Sequence, residues 1–142
     1  MEYRCFQDTF FIRLDPSEEI LESLEALAEK EQIALAEISG IGALKELDIC
    51  VYDTAEKVYH NNHYEEAMEL LSLSGTLTQK DGTPYLHLHV AAGMGSGEAV
   101  GGHLKRAVIS ATGEIVLRAI PGKLDRKFSE AIGLNLFQFE HK

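Results

Sequence analysis

Three histidines, His87, His89 and His103, have the residue type and spacing to share one chemistry, the ligation of a transition metal. They lie within residues 84 to 105, PYLHLHVAAGMGSGEAVGGHLK. Residues 84 to 90 alternate, so in a strand Leu86, Leu88 and Val90 face one way and Tyr85, His87 and His89 the other. Imidazoles two positions apart on one strand face are about 7 Å apart at the backbone, close enough for both to reach one ion. Taking the glycine-rich run from Gly93 to Gly97 as a hairpin tip, with pairing symmetric about Gly95, places His103 opposite His87 and Gly101 opposite His89. In that register the three imidazoles cap one patch of sheet, whereas a slip of one residue would turn His103 to the other face. Neutral imidazole is a common zinc ligand and also suits iron, copper and nickel; three leave a fourth position for water or a substrate. Zinc is the first expectation among these metals.

The elements that must position this hairpin follow from pattern. Residues 3 to 14 read as a first strand rich in Phe and Ile. Asp15-Pro16-Ser17-Glu18 reads as a helix start, with Asp15 as cap and Pro16 at the first helical position, and the helix runs to about Lys30. Ile20, Leu21, Leu24, Leu27 and Ala28 form its apolar stripe; Glu18, Glu22, Glu25 and Glu29 take the solvated face. A second strand, 33 to 38, is expected to end in a turn at Ser39-Gly40-Ile41-Gly42, and a third covers 47 to 52. Residues 57 to 66 read as a polar connection or edge strand in which Asn61-Asn62 marks a turn, leaving His60 and His63 as surface residues. Met68 to Thr78 is a long strand interrupted at Gly75 by a bulge or a close backbone approach, and Asp81-Gly82 is a hairpin turn. A strand pair or one bent strand over 107 to 120 and a last strand over 134 to 139 complete the chain. One helix among many strands and hairpin turns predicts an α+β domain on a mostly antiparallel sheet.

Composition bounds the function. The 142 residues, 45% hydrophobic, suit one domain spanning 1–142 that can bury a core without staples. Thirteen basic against 23 acidic residues give a net charge of −10, with no basic stripe, so DNA is an unfavourable partner for this chain alone. The N-terminal stretch lacks a sustained apolar run, which predicts neither a signal peptide nor a membrane span and hence a cytoplasmic protein. Cys5 and Cys50 read as reduced core thiols. The glycines at 93, 95 and 97 open no helix and predict a plain turn, not a phosphate loop.

Met68-Glu69-Leu70-Leu71-Ser72-Leu73-Ser74-Gly75, His87-Leu88-His89, Gly101-Gly102-His103-Leu104 and Glu114-Ile115-Val116 together resemble the PPC domain family, also called DUF296, in its stand-alone prokaryotic form. Arg13-Leu14, Ser39-Gly40-Ile41-Gly42-Ala43-Leu44 and Gly133-Leu134-Asn135 extend the resemblance over nearly the whole chain. It implies a curled antiparallel sheet flanked by one or two helices and assembled as a homotrimer. In plants the same domain follows AT-hook segments that bind the minor groove; no Arg-Gly-Arg-Pro hook is present here. Because metal-bound imidazoles are commonly oriented by a carboxylate, Glu114, in a family-matching segment, is the candidate for that second shell. The expected function is a trimeric, three-histidine metal module that binds a small molecule. Alternatives are a DNA-associated or protein-interaction scaffold and a metal-dependent hydrolase or lyase.

Overall fold

The computed structural model describes residues 1–139. The elements in chain order are β1 (Glu2–Phe6), β2 (Thr9–Leu14), α1 (Ile20–Lys30), β3 (Ala36–Asp53), β4 (Val58–Tyr64), β5 (Met68–Lys80), β6 (Thr83–Met94), β7 (Ala99–Ala119), β8 (Asp125–Ser129) and β9 (Leu134–Gln138). The architecture is α+β, as the sequence predicts: strands dominate and, among the described residues, pair antiparallel apart from one parallel bridge between Gln79 and Asp125. The sheet curls on itself. β3 pairs with β5, β5 with β6, β6 with β7, and β7 returns to β3. β1 and β2 extend it beyond β7, and β4 forms an edge on β3.

Inward-facing residues of these strands close over the helix. Ile20, Leu24, Leu27 and Ala28 of α1 pack into the same core as Leu47, Leu77, Leu88, Leu104 and Leu117. In β5 both Leu70 and Leu73 are buried although they are three positions apart, a spacing that strict alternation would send to opposite faces, because the register shift between Leu70 and Ser72 resets the alternation and leaves Leu71 exposed.

Four sequence expectations change in ways with physical causes. The first strand is two, folded at Gln7, whose φ is 61°. The helix begins later than Asp15, with Glu19 as its cap. Ser17 and Glu18 are taken by β7 instead: Ser17 N–H donates to the Ile109 carbonyl at 2.9 Å, and Ile109 N–H donates to that of Glu18 at 3.0 Å. Glu19 then serves two backbones at once, accepting from Glu22 N–H at 2.7 Å and from Ala107 N–H at 2.9 Å, so the cap also fastens the helix to β7. Ser39 to Gly42 is not a turn. β3 runs through it with a register break, and the glycines are needed because a Cβ on Gly42 would lie 2.5 Å from the Thr112 carbonyl oxygen. Finally, β5 runs two residues past the expected Thr78, to Lys80, because its pairing with β6 continues to Thr83, and β3 flanks its other side.

Asn61-Asn62 lies inside β4 and is not a turn, whereas Asp81-Gly82 makes the expected hairpin turn, with φ of 53° and 82°. Both cysteines are free, but only Cys50 is in the interior; Cys5 is exposed. The hairpin of β8 and β9 includes a strand that no sequence pattern marks, because Asp125 to Ser129 holds a single apolar residue, Phe128, and shows no alternation. Among the described residues no helix is long and apolar enough to cross a membrane.

Candidate metal centre

β6 alternates as its sequence predicts, sending Leu88 and Val90 into the core and leaving His87 and His89 on the outer face. The β6–β7 turn is centred one residue later than Gly95, so His103 pairs with His89 instead of His87, and Gly101 faces Ala91 instead of His89. The displacement moves the pairing by two positions along β6. Parity is therefore preserved and His103 stays on the histidine face. The tip itself is a plain turn, closed by Gly97 N–H donating to the Met94 carbonyl at 2.9 Å.

The three rings form a nearly equilateral triangle. Their centroids are 5.3 Å apart for His87 and His89, 5.1 Å for His87 and His103, and 5.5 Å for His89 and His103. One ring nitrogen of each lies within 4.8 Å of the others. Tetrahedral zinc with bonds of about 2.05 Å spaces its nitrogens about 3.3 Å apart. Glycines bring the strands near enough. A Cβ on Gly102 would lie 2.8 Å from the Cys50 carbonyl oxygen, one on Gly101 2.7 Å from that of Val90, and one on Gly75 2.0 Å from that of His87.

The electrostatics favour neutral imidazoles, the form that ligates. Burial, then the neighbouring His87, His89 and Lys105, depress the His103 pKa to about 4. Burial, followed by the charges of Arg126 and His89, lowers that of His87. The Tyr59 ring stands 6.4 Å from His103, and the Lys105 ammonium lies over that ring at 5.5 Å.

Glu114 does not join the site. It lies eleven residues further along β7, opposite Arg13 and Ile41, which places it on the order of 30 Å away. There it lines a groove of about 800 Å³ with Phe6, Phe11, Ile41 and Leu71, whose side chains are exposed. Among the described residues no carboxylate hydrogen-bonds to the three histidines, so the expectation of Glu114 as an orienting group is corrected. His60 and His63 are exposed on β4; His63 Nδ1 pairs with Asp48 at 2.6 Å, and that bond raises its pKa. Glu46, beside them, accepts from Arg106 at 3.0 Å, so the group of Glu46, Asp48 and His63 is occupied by its own ion pairs.

Sequence reading misses Arg126. Its guanidinium packs against Tyr85 and Phe137, with Cζ 5.0 and 4.4 Å from their centroids, and its Nε donates to Thr78 at 2.8 Å. Nothing in Asp125-Arg126-Lys127 distinguishes it from a surface charge.

The profile described as the Plants and Prokaryotes Conserved (PCC) domain matches residues 1–121. Among solved structures, a metal-containing protein from Archaeoglobus fulgidus is similar at 36% identity and TM-score 0.86, with 97% of each chain covered. A plant- and prokaryote-conserved (PPC) protein from Pyrococcus horikoshii is similar at 30% identity and TM-score 0.85, covering 99% of this chain and 97% of that one. A candidate DNA-binding protein from Bacteroides thetaiotaomicron is similar at 28% identity and TM-score 0.95, covering 99% and 98%. No curated protein matches the sequence.

Proposed function

The chain belongs to the Plants and Prokaryotes Conserved domain family, and from that premise we propose that it is a small cytoplasmic homotrimer that binds one divalent transition metal per chain and presents it to a small-molecule ligand. The observation that carries this reading is the convergence of His87, His89 and His103 on one outer face. The donor set fits zinc, would hold it through three neutral nitrogens, and leaves a coordination position toward solvent. When bound, such an ion supplies a Lewis acid or a site for an anionic oxygen. The metal-containing relative from Archaeoglobus supports the same reading.

Trimerisation would cover apolar surface that one chain leaves bare, of which Phe6, Phe11, Ile41 and Leu71 are the clearest case. A DNA-associated role, which the name of the Bacteroides relative suggests, is opposed here by the charge of −10 per chain.

Elemental analysis of the natively purified protein tests the metal. Wild type is expected to carry about one equivalent per chain. His87→Ala and His103→Ala should lose most of it, while His60→Ala should keep it. Equal metal in His87→Ala, His103→Ala and wild type would remove the reading. Light scattering after size exclusion should give three times the chain mass; a monomer at micromolar concentration would refute the trimer.

A further inference from the structure

Beside the three histidines stands a cation whose charge no described residue balances. Arg126 is 7% exposed, yet no Asp or Glu among the described residues lies within ion-pair distance of it. Its bonds go to neutral groups. Nε donates to Thr78 Oγ1 at 2.8 Å, Nη1 to the Asn135 carbonyl at 2.9 Å, and Nη2 to Thr76 Oγ1 at 3.4 Å. A guanidinium has five N–H groups, so one remains on each terminal nitrogen. Burying such a charge without a counter-ion is costly, and a neutral side chain could make the same bonds to hold the β8–β9 hairpin in place. Positioning the hairpin therefore does not by itself explain an arginine.

Register places this charge next to the metal site. Thr76 is paired with His87, and Thr78 with Tyr85, across β5 and β6. Residues paired in this way share a face with Cβ atoms about 5 Å apart, so a guanidinium resting on both threonines covers the surface beside His87. The depressed pKa of His87, to which Arg126 contributes, agrees with that proximity.

A second unmet group lies in the same place. Asn135 Oδ1 is buried without a hydrogen-bond partner, while its Nδ2 donates to the Tyr85 hydroxyl at 3.4 Å. Turning the amide over would let the Tyr85 hydroxyl donate to Oδ1 and would present an N–H to the same spot. In either orientation one polar atom of the amide is left without a partner. A dication on the histidines and a guanidinium beside them repel each other unless an anion lies between. The fork of terminal N–H groups matches the two oxygens of a carboxylate.

We propose that the small molecule taken by this site is a carboxylate, its carboxyl group held by Arg126 and a neighbouring oxygen directed to the metal face of His87, His89 and His103. This rests on the metal reading above and names the ligand class for it. Tyr85 and Phe137 pack on the guanidinium, with Cζ 5.0 and 4.4 Å from their centroids, so a ligand meets the fork edge-on, as a bidentate carboxylate does.

The test uses cobalt-loaded protein, whose visible spectrum reports coordination, titrated calorimetrically with lactate, propane-1,2-diol and inorganic phosphate. Lactate should bind and change the spectrum; the diol, which lacks the carboxylate, should do neither. Arg126→Gln should retain its cobalt but bind lactate about tenfold or more weakly, as expected for loss of a charge-assisted bond, and Arg126→Lys should fall between. Lactate binding unchanged in a folded, cobalt-loaded Arg126→Gln overturns the proposal. So does lactate behaving like the diol, or phosphate binding more tightly than lactate. If Arg126→Gln does not fold, the comparison of lactate with the diol on wild type decides. If wild type takes up no cobalt, the metal reading has failed on its own. Lactate binding to the metal-free protein, lost in Arg126→Gln or Arg126→Lys, would then uphold the carboxylate site, and its absence would overturn it.

Discussion

Replacing Gly75 by alanine probes whether the site is held by strand packing. Gly75 lies on β5 opposite Leu88, with φ of 155°. An added Cβ would sit 2.0 Å from the His87 carbonyl oxygen and 2.9 Å from the Leu88 Cα. A carbon and a carbonyl oxygen rest about 3.3 Å apart at closest comfortable contact, so β5 and β6 must separate locally by about 1 Å. Both obstructing atoms are backbone, so rotamer changes cannot absorb the overlap. Overpacking and an unfavourable φ together cost about 3 kcal/mol, or about 10 °C in melting temperature for a chain of this size. Because the shift falls on His87, it also exceeds the roughly 0.5 Å tolerance of a preorganised site, and metal affinity should drop about tenfold or more. Gly95→Ala is the control: no atom lies within 4 Å of its Cβ position and its φ is not positive. Thermal unfolding by circular dichroism and a competitive chelator titration of both variants give the two readouts. If Gly75→Ala melts with Gly95→Ala and holds metal like wild type, the strand-packing argument is refuted.

The other expectations follow from single groups. His103, held near pKa 4 when folded and near 6.5 when unfolded, takes up its proton more readily in the unfolded chain. The metal-free protein should therefore lose stability as pH falls from about 6.5 towards 4, a slope that denaturation of His103→Ala should show reduced. Glu19→Ala removes a helix cap and strands the Ala107 N–H, costing about 2–4 kcal/mol by urea denaturation; a loss within 0.5 kcal/mol would show both bonds to be incidental. Duplex DNA should not bind measurably at physiological salt in a mobility-shift assay. Tight, strongly salt-dependent retardation would instead favour the DNA-associated reading.

Face assignments along β6 were legible in the sequence because they depend only on the two-residue period of a strand: Leu88 and Val90 turn inward and His87 and His89 outward wherever β6 lies in the sheet. The inclusion of His103 was legible for a related reason, since the actual turn centre moved its partner by two positions along β6 and left its face unchanged. The apolar stripe of α1 was readable by the same logic at helical period. Its starting point was not, because Ser17 and Glu18 are claimed by Ile109, more than ninety positions away. Gly40 and Gly42 show the same limit: a glycine pair permits a turn or a close approach, and only the presence of β7, from Thr112 to Ile115, against it decides between them. Glu114 and Arg126 show it at the site. Membership of a recognisable segment carries no distance, and Glu114 lies opposite Ile41, nine positions along β3 from the Cys50 that faces His103. Arg126, on a short strand without a readable period, reaches the same face as His87 only because β8 docks on β5, a contact set by long-range packing.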